Sequence, residues 1–280
     1  VTVAVGSTTY TGPTFTVTEL ETAQPVSWAT TLSRHAVSYG EHLTITGVLT
    51  SAGVAVPGMT AQLQAQSASG ATWTAVAGAA PRRTNSAGLV SWIVTPSQNA
   101  QYRITSSATT DYLAGESSPD SLQVRPKLTL RPLGVAPAGI MSHLVGTVRP
   151  AVAGTVRLEL RIGGAWRSVA QAATHNGTFS FPITPNAAGL LRYRAVEAAS
   201  PLHAEATSHV VLVRVVEGEL RYGSSGPSVL ALQDRLRQLQ YDVGPRSASY
   251  GWDMVHAVTA FEKVQGISRD GVAGAALWRR

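Results

Sequence analysis

Two stretches of this 280-residue sequence, lying about 90 residues apart, present the same residue types in the same order. The matching pairs are Trp73 with Trp166, Gly88 with Gly177, Pro96 with Pro185, and Tyr102 with Tyr193. An ordered series of this kind indicates an internal repeat, because chance rarely aligns four such residues in one direction. The repeat predicts two structural units of the same design rather than one large core.

Each copy consists of short segments in which apolar and polar residues alternate. In the second copy, the alternating apolar residues are Val156, Leu158, Leu160 and Ile162. In the first copy, they are Leu43, Ile45 and Leu49, followed by Trp92 and Val94 after the turn at Asn85 to Gly88. A period of two predicts strands with one buried and one solvated face.

A turn signal precedes the last alternating segment of the second copy. Asn176 and Gly177 stand directly before the alternating series Phe179, Phe181 and Ile183. Asn-Gly between alternating segments favours a two-residue hairpin, because both turn residues need a positive φ. We therefore predict a hairpin at this position.

Strands of this length, separated by turn signals every ~8–12 residues, predict β-sandwiches. The two copies resemble the immunoglobulin-like modules that bacterial surface and wall proteins use in tandem, and the likeness covers residues 26–216. We predict one immunoglobulin-like sandwich over residues 26–125 and a second over residues 126–216. Residues 1–25 are predicted to form a strand or hairpin followed by a linker.

The pattern changes after Val216 from a period of two to helical spacing. Pro227 suits the first turn of a helix, where its missing N–H costs nothing. A second helix is predicted to start near Asp253, a good N-cap residue, and a third, short helix to follow Gly271. The apolar residues on one face of the first helix are Val229, Leu232, Leu236 and Leu239.

The whole segment 217–280 resembles the three-helix peptidoglycan-binding domain found on many wall hydrolases and transpeptidases. The matching residues keep the order and spacing of that family; they are Gly226, Val229, Leu232-Gln233, Leu236, Leu239, Tyr241, Tyr250-Gly251, Ala257-Val258, Phe261, Gly266-Ile267, Asp270-Gly271-Val272, Gly274 and Trp278. The resemblance implies a small all-α domain with peptidoglycan as its partner. The predicted fold class is therefore two all-β sandwiches followed by a three-helix domain.

The segment departs from the family pattern at a few places. Ser247-Ala248 stand where Asp-Gly is common, Met254 and Leu277 replace threonines at helix starts, and Glu262 stands where glutamine is usual. The expected fold survives these changes, because apolar and turn positions are kept. They do alter hydroxyl and amide groups on which a binding groove depends.

The candidates for contact with peptidoglycan are polar or aromatic residues that we expect to face the surface, together with the turn residue Gly251 between two of them. They are Gln233, Tyr241, Tyr250, Gly251, Trp252 and Asp253. Aromatic faces stack on sugar rings, and amides and carboxylates hydrogen-bond N-acetyl and peptide groups. The start of the second helix also offers free backbone N–H groups. In the alternative interpretation, Tyr250 plugs the core and Trp252 covers it.

Several other functions are excluded or disfavoured by the residues present. The chain has no cysteine, which excludes a zinc ribbon, a disulfide scaffold and a cysteine nucleophile here. It has no Gly-x-Ser-x-Gly elbow, and the spacing of His203, Glu205 and His209 matches no common zinc motif. We therefore expect no catalytic residues, no metal and no cofactor.

The charge of the chain is positive, with 22 basic and 16 acidic residues. The arginines are spread along the strands, whereas a nucleic-acid-binding protein usually shows a basic stripe on one element. The charge fits a protein that lives among anionic polymers such as a cell wall, or it only aids solubility. No apolar run approaches the ~20 residues that span a bilayer, and no signal segment opens the sequence, so we expect that a leader has been removed or left out.

These observations predict a secreted, non-catalytic cell-wall protein whose helical domain binds peptidoglycan and whose immunoglobulin-like pair is a stalk. Two alternatives stay open. The chain could be the targeting arm of a truncated wall enzyme such as an L,D-transpeptidase, in which a catalytic domain follows Arg280. It could also be a structural subunit of an extracellular assembly, in which the helical domain contacts other wall or extracellular proteins.

Overall fold

The computed structural model describes residues 2–5, 8–11 and 22–280, which are mostly β-sheet followed by a small helical region. Strands β1 (Thr2–Val5) and β2 (Thr8–Thr11) form an antiparallel pair. Most of the predicted linker after this pair lies outside the described residues. The β-rich region ends at Val216, and the helices follow it.

Two sheets around one apolar core make up the first β-unit. One sheet has the order β10 (Leu89–Val94), β5 (Leu43–Ser51), β3 (Ser27–Leu32), with β6 (Val54–Ala55) beside β5. The other has the order β4 (Ala36–Ser38), β13 (Asp120–Arg125), β11 (Ala100–Ser106), β7 (Thr60–Ser67), β8 (Thr74–Ala75). Two short strands flank it, β9 (Arg82–Arg83) beside β7 and β12 (Gly115–Glu116) beside β11.

The second β-unit repeats this arrangement. Its smaller sheet has the order β14 (Lys127–Leu130), β16 (Ser142–Arg149), β19 (Thr178–Ile183). Its larger sheet has the order β15 (Val135–Pro137), β22 (Val211–Val216), β20 (Gly189–Glu197), β17 (Thr155–Ile162), β18 (Ala165–Ala173), with β21 (Ala206–Thr207) beside β20. In both units the larger sheet ends in one parallel pair, β4 with β13 and β15 with β22. The two units therefore share one topology.

The repeated glycines occupy equivalent places in the two units. The carbonyl oxygen of Gly88 accepts a hydrogen bond of 2.9 Å from the N–H of Leu49, and that of Gly177 accepts one of 2.9 Å from Val148. Both glycines have a φ of 71°. A Cβ at either position would collide with the carbonyl oxygen of Leu49 or of Val148. Only glycine meets both conditions, which explains why it recurs in the repeat.

The predicted hairpin at Asn176-Gly177 is wrong, although the tight turn itself forms. Both turn residues have a positive φ, and His175 and Thr178 exchange two backbone hydrogen bonds across them. However, β18 pairs with β17 whereas β19 pairs with β16, in the opposite sheet. The turn thus carries the chain between the two sheets, which the local turn chemistry does not determine.

The predicted alternation along β17 holds for only part of the strand. Val156 and Leu158 are fully buried, whereas Ile162 at the strand end is 47% exposed. The strand extends past the edge of the core, so its last apolar residue has nothing to pack against. In the first unit, Leu43, Ile45 and Leu49 of β5 are all fully buried as their alternation predicts.

Backbone hydrogen bonds join the two β-units directly. The N–H of Asn99 donates to Leu202, its side-chain amide donates to Pro201, and its side-chain oxygen accepts from the N–H of Val124. His203 is buried at the same joint, with Nε2 3.1 Å from the carbonyl oxygen of Ser97. The joint is therefore a packed contact and not a free linker.

Three helices form the C-terminal domain: α1 (Pro227–Gln238), α2 (Trp252–Gln265) and α3 (Ala275–Trp278). Pro227 opens α1 as predicted. The N-cap of α2 is Gly251, and Asp253 lies in the first turn instead of capping it as expected. The chain turns into the helix earlier than predicted because the residue before Gly251, Tyr250, is held in the core. Buried residues of this core include Val229, Leu232, Leu236, Val258 and Phe261.

A short strap, residues 216–220, connects β22 to this domain and is fixed at both ends. The carbonyl oxygen of Val216 accepts a hydrogen bond from the N–H of Ala138 in the second β-unit. Leu220 exchanges two backbone hydrogen bonds with Ala273 in the helical domain. Between them, the N–H of Glu217 donates to the hydroxyl of Ser228 at 3.0 Å.

Candidate functional site

Two exposed aromatic rings contact each other in a tilted arrangement on the helical domain. Tyr222 and Trp252 have ring centroids 5.0 Å apart, and they are 58% and 63% exposed. His256, one turn further along α2, has its ring centroid 6.3 Å from that of Trp252. We call these three residues the aromatic platform. Such large exposed rings are unusual on a soluble surface and suit stacking on an apolar sugar face.

Backbone hydrogen bonds of Tyr250, a residue of the core, position the aromatic platform. The N–H of Tyr250 donates to the carbonyl oxygen of Ser224, and its own carbonyl oxygen accepts from the N–H of Gly223. This exchange holds the turn before α1 alongside the turn before α2. Tyr222 and Trp252 therefore meet although 30 residues separate them.

The structure corrects the expectation that Gln233 and Tyr250 face the surface. Gln233 is 1% exposed, and its side-chain amide braces the loop after α1 through the carbonyl oxygen of Pro245 and the N–H of Ala248. Tyr250 has no exposed surface. Both side chains are buried and make internal contacts, so neither is accessible to a ligand in this structure.

The other four predicted residues lie in two places. Gly251, Trp252 and Asp253 share the start of α2, where no side chain caps the helix. Tyr241 is half-buried and packs edge-on against Phe261, with centroids 5.7 Å apart. Since Phe261 is nine residues beyond Trp252 on the same helix, Tyr241 lies roughly 13 Å further along the helix axis. It is therefore not part of the aromatic platform.

A buried polar network lies beneath the platform. The Tyr250 hydroxyl donates to the carbonyl oxygen of Gly271 at 2.9 Å, and the N–H of Gly271 donates to the carboxyl of Glu262 at 3.0 Å. Burial raises the pKa of Tyr250 and also raises the pKa of Glu262, and Asp270 nearby adds to the rise for Glu262.

A cleft separates α1 and α3 from the second β-unit. Its volume is about 790 Å³, and Leu133, Val135 and Arg214 of the β-unit form one wall. The helical side contributes apolar residues and further charges, among them Leu239, Trp278, Arg235, Arg246 and Arg280. Asp234 pairs with Arg246 at 2.8 Å, and this hydrogen bond lowers the pKa of the Asp234 carboxyl. We call this space the α1 cleft.

The described part of the chain offers neither a cluster of metal ligands nor a membrane-spanning helix. Within residues 22–280, no three His, Asp or Glu side chains come together as metal ligands would. His203 is buried at the joint of the β-units, whereas Glu205 and His209 are exposed. No described helix has the length and apolar character needed to cross a membrane.

The helical segment belongs to a known class of wall-binding domains. Residues 225–280 match the family model described as "Putative peptidoglycan binding domain". Residues 225–280, which include the three helices and Trp252 but not Tyr222, are therefore a peptidoglycan-binding domain, and a β-rich region precedes it. A comparison with curated proteins finds no match to the chain.

Sequence reasoning missed Tyr222 and the arginines of the α1 cleft. Tyr222 stands in a turn that looks like a connection between domains, and its partner Trp252 is far away in sequence. The cleft combines residues of the second β-unit with residues of all three helices. Neither grouping leaves a local signal, because the platform depends on the pairing of two turns within the helical domain and the cleft depends on how that domain is placed against the second β-unit.

Proposed function

We propose that this chain is a secreted, non-catalytic cell-wall protein that binds peptidoglycan through the aromatic platform and holds that domain on a stalk. The observation that carries the proposal is the exposed ring of Trp252, which lies in the segment that matches the peptidoglycan-binding family and contacts the ring of Tyr222 just before it. Sugar rings present apolar C–H faces, and an indole ring offers a large flat area for them at little conformational cost.

We infer that the two β-units are immunoglobulin-like sandwiches, spanning residues 26–125 and 126–216, and that residues 217–280 form the third domain. This inference is supported by the topology of two sheets with Greek-key crossovers and a parallel end strand, which occurs in both units. Immunoglobulin-like units in tandem serve mostly as spacers. The packed joint at Asn99 suits that role, because it limits bending between the units.

The proposal is tested by the binding of the full chain to purified, protein-free sacculi. We expect Trp252→Ala to weaken binding about tenfold and Trp252→Phe to keep most of it, because a stacked ring contributes ~1 kcal/mol or more. Val264→Ala is the matched control, since Val264 is 68% exposed on the same helix. Equal binding by the Trp252→Ala and Val264→Ala variants would show that the platform is not the site.

The absence of catalysis is tested separately. We expect no release of soluble muropeptides when a clean preparation is incubated with sacculi, because no activated nucleophile is recognisable in the sequence. Product release that is abolished by one substitution in this chain would contradict the proposal.

A further inference from the structure

Strand alternation gathers five arginines on one face of the second β-unit. On β17, β20 and β22, alternate residues point away from the core, and the strand register places these outward residues side by side. The outward set includes Arg157, Arg161, Arg192, Arg194 and Arg214, which we call the arginine face. The inward residues between them, such as Leu158 and Val213, are fully buried.

One carboxylate lies among these five guanidinium groups. Glu159 is 2.7 Å from Arg194 and 4.0 Å from Arg157. Arg161, Arg192 and Arg214 are exposed and form no salt bridge within the described residues. Arg214 does lie near Asp234, because it adds to the lowering of that carboxyl's pKa by Arg246. The register pairs Arg192 with Leu212 and Arg214 with Leu190, so exposed leucines lie between these arginines. Five arginines and one glutamate leave the face with a net positive charge, which favours an anionic partner.

The first β-unit shows that the fold does not require this charge. Its equivalent face, on β7, β11 and β13, carries Arg103 and Arg125, and Arg103 pairs with Glu116 at 2.8 Å. The remaining outward residues of that face are neutral; they include Gln62, Gln64, Gln66, Gln101 and Gln123. The two β-units have one arginine of this face in common. In the first unit Arg103 lies over the ring of Trp73 at 4.5 Å, and in the second unit Arg194 lies over the ring of Trp166 at 4.4 Å.

The arginine face continues into the α1 cleft. Arg214 belongs to both, because it stands on the outward side of β22 and also lines the cleft. Arg235, Arg246 and Arg280 extend the positive charge along the helical side, where Asp234 is the one acidic residue lining the cleft. The charge therefore reaches the peptidoglycan-binding domain, whereas the equivalent face of the more distant β-unit carries only Arg103, which is paired, and Arg125.

We propose that the arginine face binds the carboxylate groups of peptidoglycan stem peptides while the helical domain holds the same polymer. This inference rests on the proposed function. Guanidinium groups match carboxylates in a two-pronged geometry, and stem peptides carry carboxylates at regular intervals along a glycan strand. The continuity of the face with the α1 cleft favours one shared partner over two separate ones.

The test compares two double variants of the full chain that lose the same charge. Arg192→Gln/Arg214→Gln removes two exposed members of the face, and Arg82→Gln/Arg125→Gln removes two exposed arginines of the first β-unit. Sacculi are first stripped of phosphate-containing wall polymers with hydrofluoric acid. We expect the face variant to bind roughly fivefold more weakly than wild type and the control to stay within about twofold. The difference should vanish at high salt, because exposed charge pairs are screened.

A second arm uses stripped sacculi whose carboxylates have been amidated with carbodiimide. Wild type should then bind no better than the face variant, while Trp252→Ala still weakens binding further. Equal affinity of the face variant and wild type on unmodified sacculi would overturn the inference and leave the proposed function intact. So would a defect seen only when phosphate polymers are present. Failure of wild type to bind any sacculi would overturn both.

Discussion

The hydroxyl of Tyr250 and the carbonyl oxygen of Gly271 form a hydrogen bond of 2.9 Å inside the core of the helical domain. The N–H of the same glycine donates to Glu262. The buried side chains of Tyr250 and Glu262 thus both hydrogen-bond to the backbone of Gly271, in the turn before α3. The turn that leads into the last helix is fixed by this arrangement.

Tyr250→Phe removes the donor and leaves the Gly271 carbonyl without its partner. We expect the free energy of unfolding of the helical domain to fall by about 1–2 kcal/mol, measured from the helical circular-dichroism signal in urea. The affinity of the folded variant for sacculi should not change, because Tyr250 has no exposed surface. Lost binding with unchanged stability would instead make Tyr250 a ligand contact.

Glu262→Gln should alter how the stability of this domain depends on pH. Burial raises the pKa of Glu262 in the folded state, so folding favours the protonated carboxyl. The stability that this group contributes is present below its unfolded pKa of about 4 and is lost as the pH rises through the raised folded pKa. The glutamine variant should lack this loss and be more stable than wild type near neutral pH.

The measurement is a series of urea unfolding curves between acidic and neutral pH. Glu219→Gln is the control, because Glu219 is an exposed glutamate of the strap. A wild-type profile that matches that of Glu262→Gln would show that Glu262 is ionised without penalty.

Gly88→Ala and Gly177→Ala should destabilise their β-units to a similar degree. Each adds a Cβ in a left-handed conformation, at about 1–2 kcal/mol, and each also forces that Cβ against a backbone carbonyl. Gly78→Ala is the control, since Gly78 has a φ of 77° with open space around it. Thermal unfolding in which all three variants behave alike would show that the carbonyl contact adds nothing.

Separate fragments test the proposed domain boundaries. Residues 217–280 alone should give a helical circular-dichroism spectrum, and residues 26–216 a β spectrum. The helical core residues pack with one another in a cluster distinct from those of the β-units, which favours independent folding. A strand-dominated or unfolded spectrum from the short fragment would contradict the boundary at residue 217.

The elements that could be predicted from sequence are those with a local and repeated signal. Alternation predicted the buried face of β5, and helical spacing placed α1 and α2 with errors of a few residues at their ends. The hairpin at Asn176-Gly177 was wrong because turn chemistry determines the bend but not which strands pair afterwards. Pairing is decided by the core of the whole unit.

The candidate site was harder to predict than the fold. Tyr250 and Gln233 carry the chemistry of a binding site, yet the core uses their polar atoms to satisfy buried backbone groups. Burial of a polar side chain depends on tertiary packing, which residue type alone does not reveal. Trp252 was found because its neighbours along the chain already suggested the start of a helix.

The arginines illustrate a different limit. In sequence they are spread along strands, and we expected no cluster. Adjacent strands placed Arg161, Arg192 and Arg214 on one face although they come from segments about 20 to 30 residues apart. A basic face that is assembled from adjacent strands gives no pattern in the linear sequence, so it can be recognised only once the strand order is known.

The strap of residues 216–220 holds the arginine face and the aromatic platform at a fixed spacing. Because both ends are hydrogen-bonded, a polymer segment engaged at one surface meets the other at a set spacing, as in a bivalent ligand with a short, stiff linker. The two proposed contacts therefore predict tighter binding of an intact glycan strand with its peptides than of a lone muropeptide. The chain would then distinguish continuous wall from the fragments shed during its turnover.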